Sequence, residues 1–208
     1  MPVRREIGFN TLRWILNGQY EQGEINIIKE HLVAGEKVLE IGTGLGFISA
    51  FSAKRTGSDN VFTFEANPSN AATAKEVFKK NHVYPAIENL MLGAGGGQVD
   101  FPINKKSRLA SSLKGTDTDT VSIRTEDLNE TIKIIRPDFL IMDIEGAEYD
   151  IFRIIRYQTI KKIQFELHPQ ILGETKCNEI FAILAKSNFI KHPISDDRNF
   201  YYYLSVPQ

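Results

Sequence analysis

Short apolar runs alternate with longer segments of helical periodicity from about residue 25 onward. Apolar runs rich in β-branched and aromatic residues are typical of buried strands, whereas apolar residues that recur every three or four positions predict helices. Strands are predicted at residues 37–41, 61–65, 86–92, 139–143 and 160–167. Helices are predicted at residues 47–55, 68–80 and 174–186, and from about residue 147.

This alternation predicts an α/β fold with a mostly parallel sheet that helices cover on both faces. Because crossovers between parallel strands are right-handed, the sheet should be doubly wound. The chain ends differently, with a strand–turn–strand pattern over residues 189–206. Addition of an antiparallel last strand to the parallel sheet accounts for that pattern. We expect a single domain over residues 1–208.

Two segments lie outside the alternation. Residues 1–30 precede the first strand and form an N-terminal segment that is predicted to be helical from about Gly23. Residues 93–124 contain a glycine-rich turn, the strand-like QVDFPIN and a polar stretch, KKSRLASSLKGTDTDT. We interpret residues 93–124 as a mobile insertion, because long polar connections are typical of functional loops.

Composition excludes several classes of protein. The formal net charge is −1, whereas a dedicated nucleic-acid binder usually has a basic excess. The single cysteine, Cys177, excludes a disulfide framework and a cysteine-based zinc site. No apolar run approaches the roughly 18 residues of a membrane span, and the N-terminus does not resemble a signal peptide. We therefore expect a cytoplasmic protein without a membrane or nucleic-acid partner.

The most informative segment is VLEIGTGLGF, in which a strand ends in the alternate glycines Gly42, Gly44 and Gly46 and a helix follows. Glycines at such a turn allow a ligand to approach the backbone closely. Glu65 ends the next strand, where a carboxylate can accept hydrogen bonds from both hydroxyls of a ribose. The pattern indicates an adenosine-containing ligand, although a strand–turn–helix without a ligand is the simpler alternative.

Charge decides between the possible adenosine ligands. The spacing G-x-G-x-G differs from the G-x-G-x-x-G of dinucleotide sites, with Phe47 in place of the third glycine. Glu40 lies beside the turn, where its carboxylate would repel a pyrophosphate. S-adenosylmethionine has no phosphate and carries an ammonium and a sulfonium group. The sequence therefore favours S-adenosylmethionine over NAD.

The segments VLEIGTGLGF, FEANPSN, FLIMDIEGAEYDIF and QFELHP resemble, in this order and spacing, the FkbM family of S-adenosylmethionine-dependent methyltransferases. The resemblance covers roughly residues 20–170, and DIEGAE at 143–148 is its most specific part. It implies the seven-stranded, Rossmann-like methyltransferase sheet and O-methylation of small molecules or sugars. The family often has a lysine two residues before the aspartate of DIEGAE, where this chain has Ile141.

The resemblance also implies roles for individual residues. Glu65 would bind the ribose, and Asn67 and Met91 would lie near the adenine. Tyr20, on the N-terminal segment, would close over the methionine part of the cofactor. Asp143 would face both that part and the acceptor. The cofactor turn would consist of Glu40, Gly42, Gly44 and Gly46.

Asp143 and Glu145 are two residues apart, as are Glu166 and His168, so each pair should point to one face of its strand. If the two strands are neighbours, all four side chains gather at the carboxyl edge of the sheet. His168, with an ordinary imidazole pKa of about 6.5, would then suit removal of the acceptor's proton. The same groups could hold a divalent ion, which we do not favour at this stage.

Simpler interpretations of the same residues are that Glu145 caps the following helix and that Glu166 pairs with a basic neighbour. The leading hypothesis is a methyltransferase that acts on a hydroxyl of a small molecule or sugar, with Asp143 and His168 as catalytic residues. The alternatives are a non-catalytic binding module of the same fold and an NAD-dependent oxidoreductase. Methylation of nucleic acid is disfavoured by the charge balance.

Overall fold

The computed structural model describes residues 13, 17–18, 20–104, 118–195 and 199–206. The strands are β1 (Val38–Ile41), β2 (Val61–Phe64), β3 (Ala86–Glu88), β4 (Met91–Gly93), β5 (Gly97–Asn104), β6 (Thr118–Asp127), β7 (Phe139–Met142), β8 (Lys162–Glu166), β9 (Phe189–Lys191) and β10 (Phe200–Ser205). The helices are α1 (Gln22–His31), α2 (Phe47–Thr56), α3 (Pro68–Asn81), α4 (Leu128–Ile135), α5 (Glu148–Ile154), α6 (Pro169–Leu172) and α7 (Glu174–Lys186).

The main sheet has seven strands in the order β3-β2-β1-β7-β8-β10-β9. Strands β3, β2, β1, β7 and β8 are parallel, and β10 is inserted antiparallel between β8 and β9. The predicted doubly wound fold with an antiparallel last strand is therefore confirmed. The chain order reverses at β1, whose two neighbours are β2 and β7. Parallel sheets of this type bind ligands beyond the carboxyl ends of their strands at such a point.

The central strands β1 and β7 are buried on both faces, which explains why their residues are apolar except for Glu40. All four residues of β1 and of β7 are buried. One core, which includes Leu140 and Phe165, lies on one side of the sheet, and a second, which includes Val38 and Tyr202, lies on the other. Helices on both faces thus hold the strand ends in fixed positions.

The apolar run at residues 86–92, predicted as one strand, forms two. β3 pairs with β2 in the main sheet, whereas β4 pairs with β6 in a separate three-stranded sheet of order β4-β6-β5. Between them Asn89 donates its side-chain amide to the carbonyl oxygens of Glu65 and Ala66. These hydrogen bonds hold the chain at the point where it leaves the main sheet.

Residues 93–124, interpreted from the sequence as a mobile insertion, contain two long strands. β5 and β6 pair antiparallel from Gly97↔Thr125 to Asn104↔Thr118. The polar stretch between them, residues 105–117, lies outside the described residues. Sequence analysis also missed α4, which Asp127 caps by accepting hydrogen bonds from the backbone N–H groups of Asn129 and Glu130. In the described part of the chain, no helix is both long and apolar enough to cross a bilayer.

Candidate functional site

A cavity of about 650 Å³ opens at the carboxyl ends of β1, β2, β7 and β8. Its size falls within the range of about 300–1,000 Å³ that is usual for small-molecule sites. Tyr20 and the first turn of α1 form one wall, and residues 99–102 of β5 form another. The three-stranded sheet thus encloses the site that the main sheet builds.

The glycine turn after β1 has two different functions. Gly42 has φ 88°, and a Cβ there would lie 1.8 Å from the carbonyl oxygen of Asp143, so only glycine fits. Gly44, with φ 53°, lines the cavity and has open space where a Cβ would point. Gly46 does not line the cavity, because it packs against Ala74 and Phe78 of α3. Of the predicted cofactor glycines, Gly46 therefore serves helix packing.

Glu65 lies where the sequence analysis expected it, at the carboxyl end of β2 on the cavity wall. Its Oε2 accepts a hydrogen bond from the backbone N–H of Gly44 at 2.8 Å, and its Oε1 accepts one from Asn67 at 2.7 Å. Burial raises the pKa of Glu65 to about 7, although these backbone N–H groups act in the opposite direction. The carboxylate is thus fixed by the glycine turn and still borders the cavity.

Glu40 also borders the cavity and is almost wholly buried, with 2% of its surface exposed. It accepts a hydrogen bond from the hydroxyl of Ser49 in α2. Burial raises the pKa of Glu40 to about 8, and the negative charge of Glu65 acts in the same direction. A cationic ligand beside these two carboxyl groups would favour their charged forms.

The two residues predicted near the adenine are placed differently. Met91 lines the cavity between Leu90 and Leu92, and the three form an apolar wall suited to a flat ring. Asn67 does not line it, because its side chain caps α3 by accepting a hydrogen bond from the N–H of Ser69. Asn70, which sequence analysis missed, lines the cavity, and its buried Oδ1 has no hydrogen-bond partner among the described residues.

Tyr20 closes the cavity from the N-terminal side, with its ring edge-on to Phe47 at a centroid distance of 5.2 Å. Burial raises the pKa of the Tyr20 phenol, and the carboxyl group of Glu21 acts in the same direction. Glu21 is itself a lining residue, and burial raises its pKa well above the usual range. The start of α1 therefore adds a further carboxyl group to an already acidic cavity.

At the other end of the cavity, four carboxyl groups surround His168. Its Nε2 lies 3.4 Å from Glu145 and 3.9 Å from both Asp143 and Glu166, and its Nδ1 lies 2.7 Å from Glu148. The predicted gathering of Asp143, Glu145, Glu166 and His168 is confirmed, because β7 and β8 are neighbours in the sheet. Asp143, Glu145 and Glu166 line the cavity, whereas His168 lies behind them.

These contacts change the protonation expected of His168. Burial lowers the pKa of the imidazole, but the hydrogen bond and charge of Glu148, together with Asp143 and Glu145, outweigh burial and raise it to about 9. The expected ordinary value of about 6.5 is therefore wrong. The pKa of Asp143 is also raised, by its enclosure in the cavity and by the charges of Glu166 and Glu145. The Asp143 side chain remains 48% exposed, and it lines the cavity. It is therefore surrounded by the cavity walls without being packed directly against them.

Glu148 is the main residue that sequence analysis missed. It is fully buried, and its Oε1 accepts a hydrogen bond from the N–H of Gly146 at 2.9 Å as well as contacting His168. The proposed cap at Glu145 is not formed, since α5 has no side-chain cap and Glu145 adopts φ 51°. Glu166 likewise has no lysine or arginine ion pair among the described residues. The signal in the sequence that could have identified Glu148 is its position as the last residue of the DIEGAE segment.

The cavity fits S-adenosylmethionine on several independent observations. Open space at Gly44 and the fixed carboxylate of Glu65 suit a ribose. The apolar wall around Met91 and the unpartnered Oδ1 of Asn70 suit an adenine with its exocyclic amine. Glu40 and Glu21 offer negative charge to a sulfonium and an ammonium group, and no described lysine or arginine pairs with either of them.

Solved structures share the fold at low sequence identity. Magnesium protoporphyrin IX methyltransferase from Synechocystis PCC 6803, with bound S-adenosylmethionine, matches with a TM-score of 0.56 and 11% identity over 98% of this chain and 86% of that one. An S-adenosylmethionine-dependent O-methyltransferase from Thermotoga maritima matches with a TM-score of 0.52 and 14% identity, over 95% of this chain and 72% of that one. The precorrin-6y C5,15-methyltransferase of Geobacter metallireducens matches with a TM-score of 0.51 and 14% identity, over 89% of this chain and 86% of that one.

No curated protein matches the chain. The model of the methyltransferase FkbM domain, in contrast, matches residues 38–191, from the first residue of β1 to the end of β9. That span contains the glycine turn, Glu65, Asp143 and His168. Since the match covers most of the chain, the protein belongs to the FkbM family of S-adenosylmethionine-dependent methyltransferases.

Proposed function

We propose that this protein methylates a hydroxyl group of a small molecule or sugar. The observation that carries the proposal is the position of Asp143, whose carboxylate opens into the same cavity as Gly44 and Glu65. Strands β1 and β7 are neighbours, so the turn that would hold the cofactor and the carboxylate that would face the acceptor are side by side. A hydroxyl acceptor must lose its proton during methyl transfer, and Asp143 is placed to receive it.

Bound S-adenosylmethionine supplies an electrophilic methyl group on a sulfonium sulfur. The protein's contribution is mainly to position the reactants, which can lower a barrier by about 7–11 kcal/mol. Glu65 and the backbone around Gly44 hold the ribose, and Glu40 faces the cationic part of the cofactor. Tyr20 and β5 exclude water from the enclosed cavity.

Asp143 is the acceptor-side catalytic residue in this proposal. A raised pKa makes its carboxylate a better proton acceptor than an ordinary aspartate. His168 does not line the cavity, so it acts as a positioning residue that keeps the carboxylates of Asp143, Glu145 and Glu166 together. The cavity of about 650 Å³ must hold both cofactor and acceptor, which favours a small acceptor or the end of a larger one.

Two measurements test the proposal. S-adenosylmethionine at 100 times its dissociation constant should stabilise the protein by about 2.7 kcal/mol. For a chain of this length that raises the melting temperature by several degrees, at about 2–4 °C per kcal/mol. NAD should give no shift, and a shift with NAD alone would contradict the cofactor assignment.

The acceptor class is tested with methyl-labelled S-adenosylmethionine and matched pairs of hydroxylated and aminated sugars and small carboxylates. We expect label in the hydroxylated member of at least one pair. Transfer only to the aminated members would assign the site to N-methylation. A thermal shift with S-adenosylmethionine but no transfer to any compound of a broad panel would favour a non-catalytic binding module.

A further inference from the structure

The acidic cluster, which consists of Asp143, Glu145 and Glu166, surrounds Nε2 of His168 at distances that leave room for an ion. Separations of 3.4 Å from His168 Nε2 to Glu145 and 3.9 Å to Asp143 exceed the usual N–H···O range of about 2.7–3.2 Å. Two atoms that both coordinate one metal ion at about 2.1 Å can lie at most about 4.2 Å apart, so both separations are compatible with shared coordination. One ligand atom from each of Asp143, Glu145 and His168 lies within 4.8 Å of the other two, so a small movement of the two half-exposed carboxylates allows all three to share one ion.

His168 has the environment typical of an imidazole that binds a metal. Such an imidazole usually donates its second ring N–H to a carboxylate, which fixes the tautomer and the ring orientation. Nδ1 of His168 contacts the fully buried Oε1 of Glu148 at 2.7 Å, and Nε2 faces the three cavity carboxylates. The side chain is only 8% exposed, so this orientation is set by the protein interior.

A second, independent observation comes from Gln164. This residue is 1% exposed and lines the cavity, and neither its Nε2 nor its Oε1 has a hydrogen-bond partner among the described residues. It lies two residues before Glu166 on β8 and therefore on the same face of the sheet. Burial of an unsatisfied carboxamide is costly. A hydrated ion at the cluster would supply water molecules with which both atoms could form hydrogen bonds.

We propose that Asp143, Glu145 and His168 bind one divalent cation beside the methyl donor. Two carboxylates and one imidazole, with room for water, suit a divalent transition-metal ion such as Mn²⁺ better than Mg²⁺, which prefers an all-oxygen set. No described lysine or arginine forms an ion pair with these carboxylates, so the dication would also offset their charge. This inference rests on the proposed function and refines it.

The ion would bind the acceptor's hydroxyl oxygen and lower the pKa of that hydroxyl. Its proton would then pass to Glu166, which lines the cavity and is not one of the three ligands. With the ion bound, Asp143 and His168 serve as its ligands, and the ion takes the place of the proton on Nε2 of His168. The refinement therefore specifies an acceptor that presents an oxygen, since a protonated amine would be repelled by the cation.

The test is a titration of the chelator-treated 208-residue chain with MnCl₂, in which electron paramagnetic resonance measures free Mn²⁺. We expect one saturable site per chain and a nitrogen coupling from His168 in pulsed spectra. Glu145→Gln should weaken Mn²⁺ binding by about tenfold or more. Glu145 is 45% exposed, so this variant should fold, and its melting temperature checks that. The matched control is Asp150→Asn, an exposed carboxylate on the same cavity wall, which should bind Mn²⁺ normally.

No saturable Mn²⁺ binding up to millimolar concentration would overturn the inference, as would binding that Glu145→Gln leaves unchanged. Mn²⁺ binding without a nitrogen coupling would exclude His168 as a ligand and overturn the proposed site. The thermal shift with S-adenosylmethionine is measured on the same metal-free samples. If that shift is present and Mn²⁺ does not bind, only the metal site is refuted, whereas loss of the shift refutes the proposed function.

Discussion

The two ends of the cavity use carboxylates in different ways. At the glycine turn, Glu40 and Glu65 are 2% and 4% exposed and accept hydrogen bonds from neighbouring protein groups. At the opposite end, the side chains of Asp143 and Glu145 are 48% and 45% exposed to the cavity, and neither has an ion pair with a lysine or arginine in the described chain.

This difference separates a preformed binding site from a reactive one. Carboxylates that the fold already holds cost little further ordering when a ligand binds, which favours affinity. Carboxylates that remain open to the cavity can exchange protons with a ligand or bind cations. We therefore expect substitutions at the two ends to affect different measurements.

The largest effect is expected for Asp143→Asn. The amide keeps the size of the side chain but cannot accept the acceptor's proton or balance a cation. Turnover should fall by about 100-fold or more, whether Asp143 accepts the proton itself or binds the cation that lowers the pKa of the hydroxyl. The dissociation constant of S-adenosylmethionine should change little, as measured by calorimetry. Asp150→Asn is the control, and wild-type turnover in Asp143→Asn would show that Asp143 is structural.

A smaller effect, on the opposite measurement, is expected for Glu65→Ala. Loss of charged hydrogen bonds to the ribose, each worth about 1.5–3 kcal/mol, should weaken S-adenosylmethionine binding by about 10–100-fold. Since Glu65 also holds Gly44, the milder Glu65→Gln keeps the shape and should fall between wild type and alanine. Glu126→Ala, on the exposed Arg124 ion pair, is the control. Equal affinity in all four proteins would remove Glu65 from the cofactor site.

The smallest effect is expected from pH. The pKa values of Glu40 and Glu65 are raised to about 8 and about 7, so both groups are mostly neutral at pH 6 and charged at pH 9. Because a raised carboxyl pKa favours folding at low pH, the ligand-free protein should lose stability as pH rises through these values. Bound S-adenosylmethionine should counter this loss, since it carries cationic groups.

The melting temperature with and without S-adenosylmethionine, measured from pH 6 to pH 9, tests this prediction. The difference between the two should widen by a few degrees as pH rises. A difference that narrows over this range would mean that Glu40 and Glu65 do not face the cationic part of the cofactor.

The sequence was sufficient for the parts of the molecule that local pattern determines. The buried parallel strand β7 is a continuous apolar run, β1 is interrupted only by Glu40, and at Gly42 no other residue type fits the turn. The division of residues 86–92 into β3 and β4 was not predictable from the apolar run, because it arises from pairing with different strands. β3 pairs with β2, whereas β4 pairs with β6, and both partners lie elsewhere in the sequence.

At the candidate site, the sequence placed Glu65 and the acidic cluster correctly but not the protonation of His168. That property depends on Glu148, a residue of α5 that contacts His168 only because the chain between β8 and α6 passes beside it. Burial and long-range contacts of this type leave no periodic signal. The same reason explains why Gln164 appeared as an ordinary strand residue. The cap at Asn67, in contrast, is local, because Asn67 precedes Pro68 at the start of α3 and accepts its hydrogen bond from Ser69.

The contact between Gly42 and the carbonyl of Asp143 has a consequence for redesign. Since no side chain fits between them, no substitution at Gly42 can be used to adjust the position of the glycine turn relative to Asp143. Substitutions intended to change the acceptor are better made on β5, where Val99 and Phe101 line the cavity and are far from Gly42 and Asp143 in the sequence. Libraries of substitutions confined to β5 would change which acceptors enter the cavity and would leave the glycine turn and the acidic cluster unchanged.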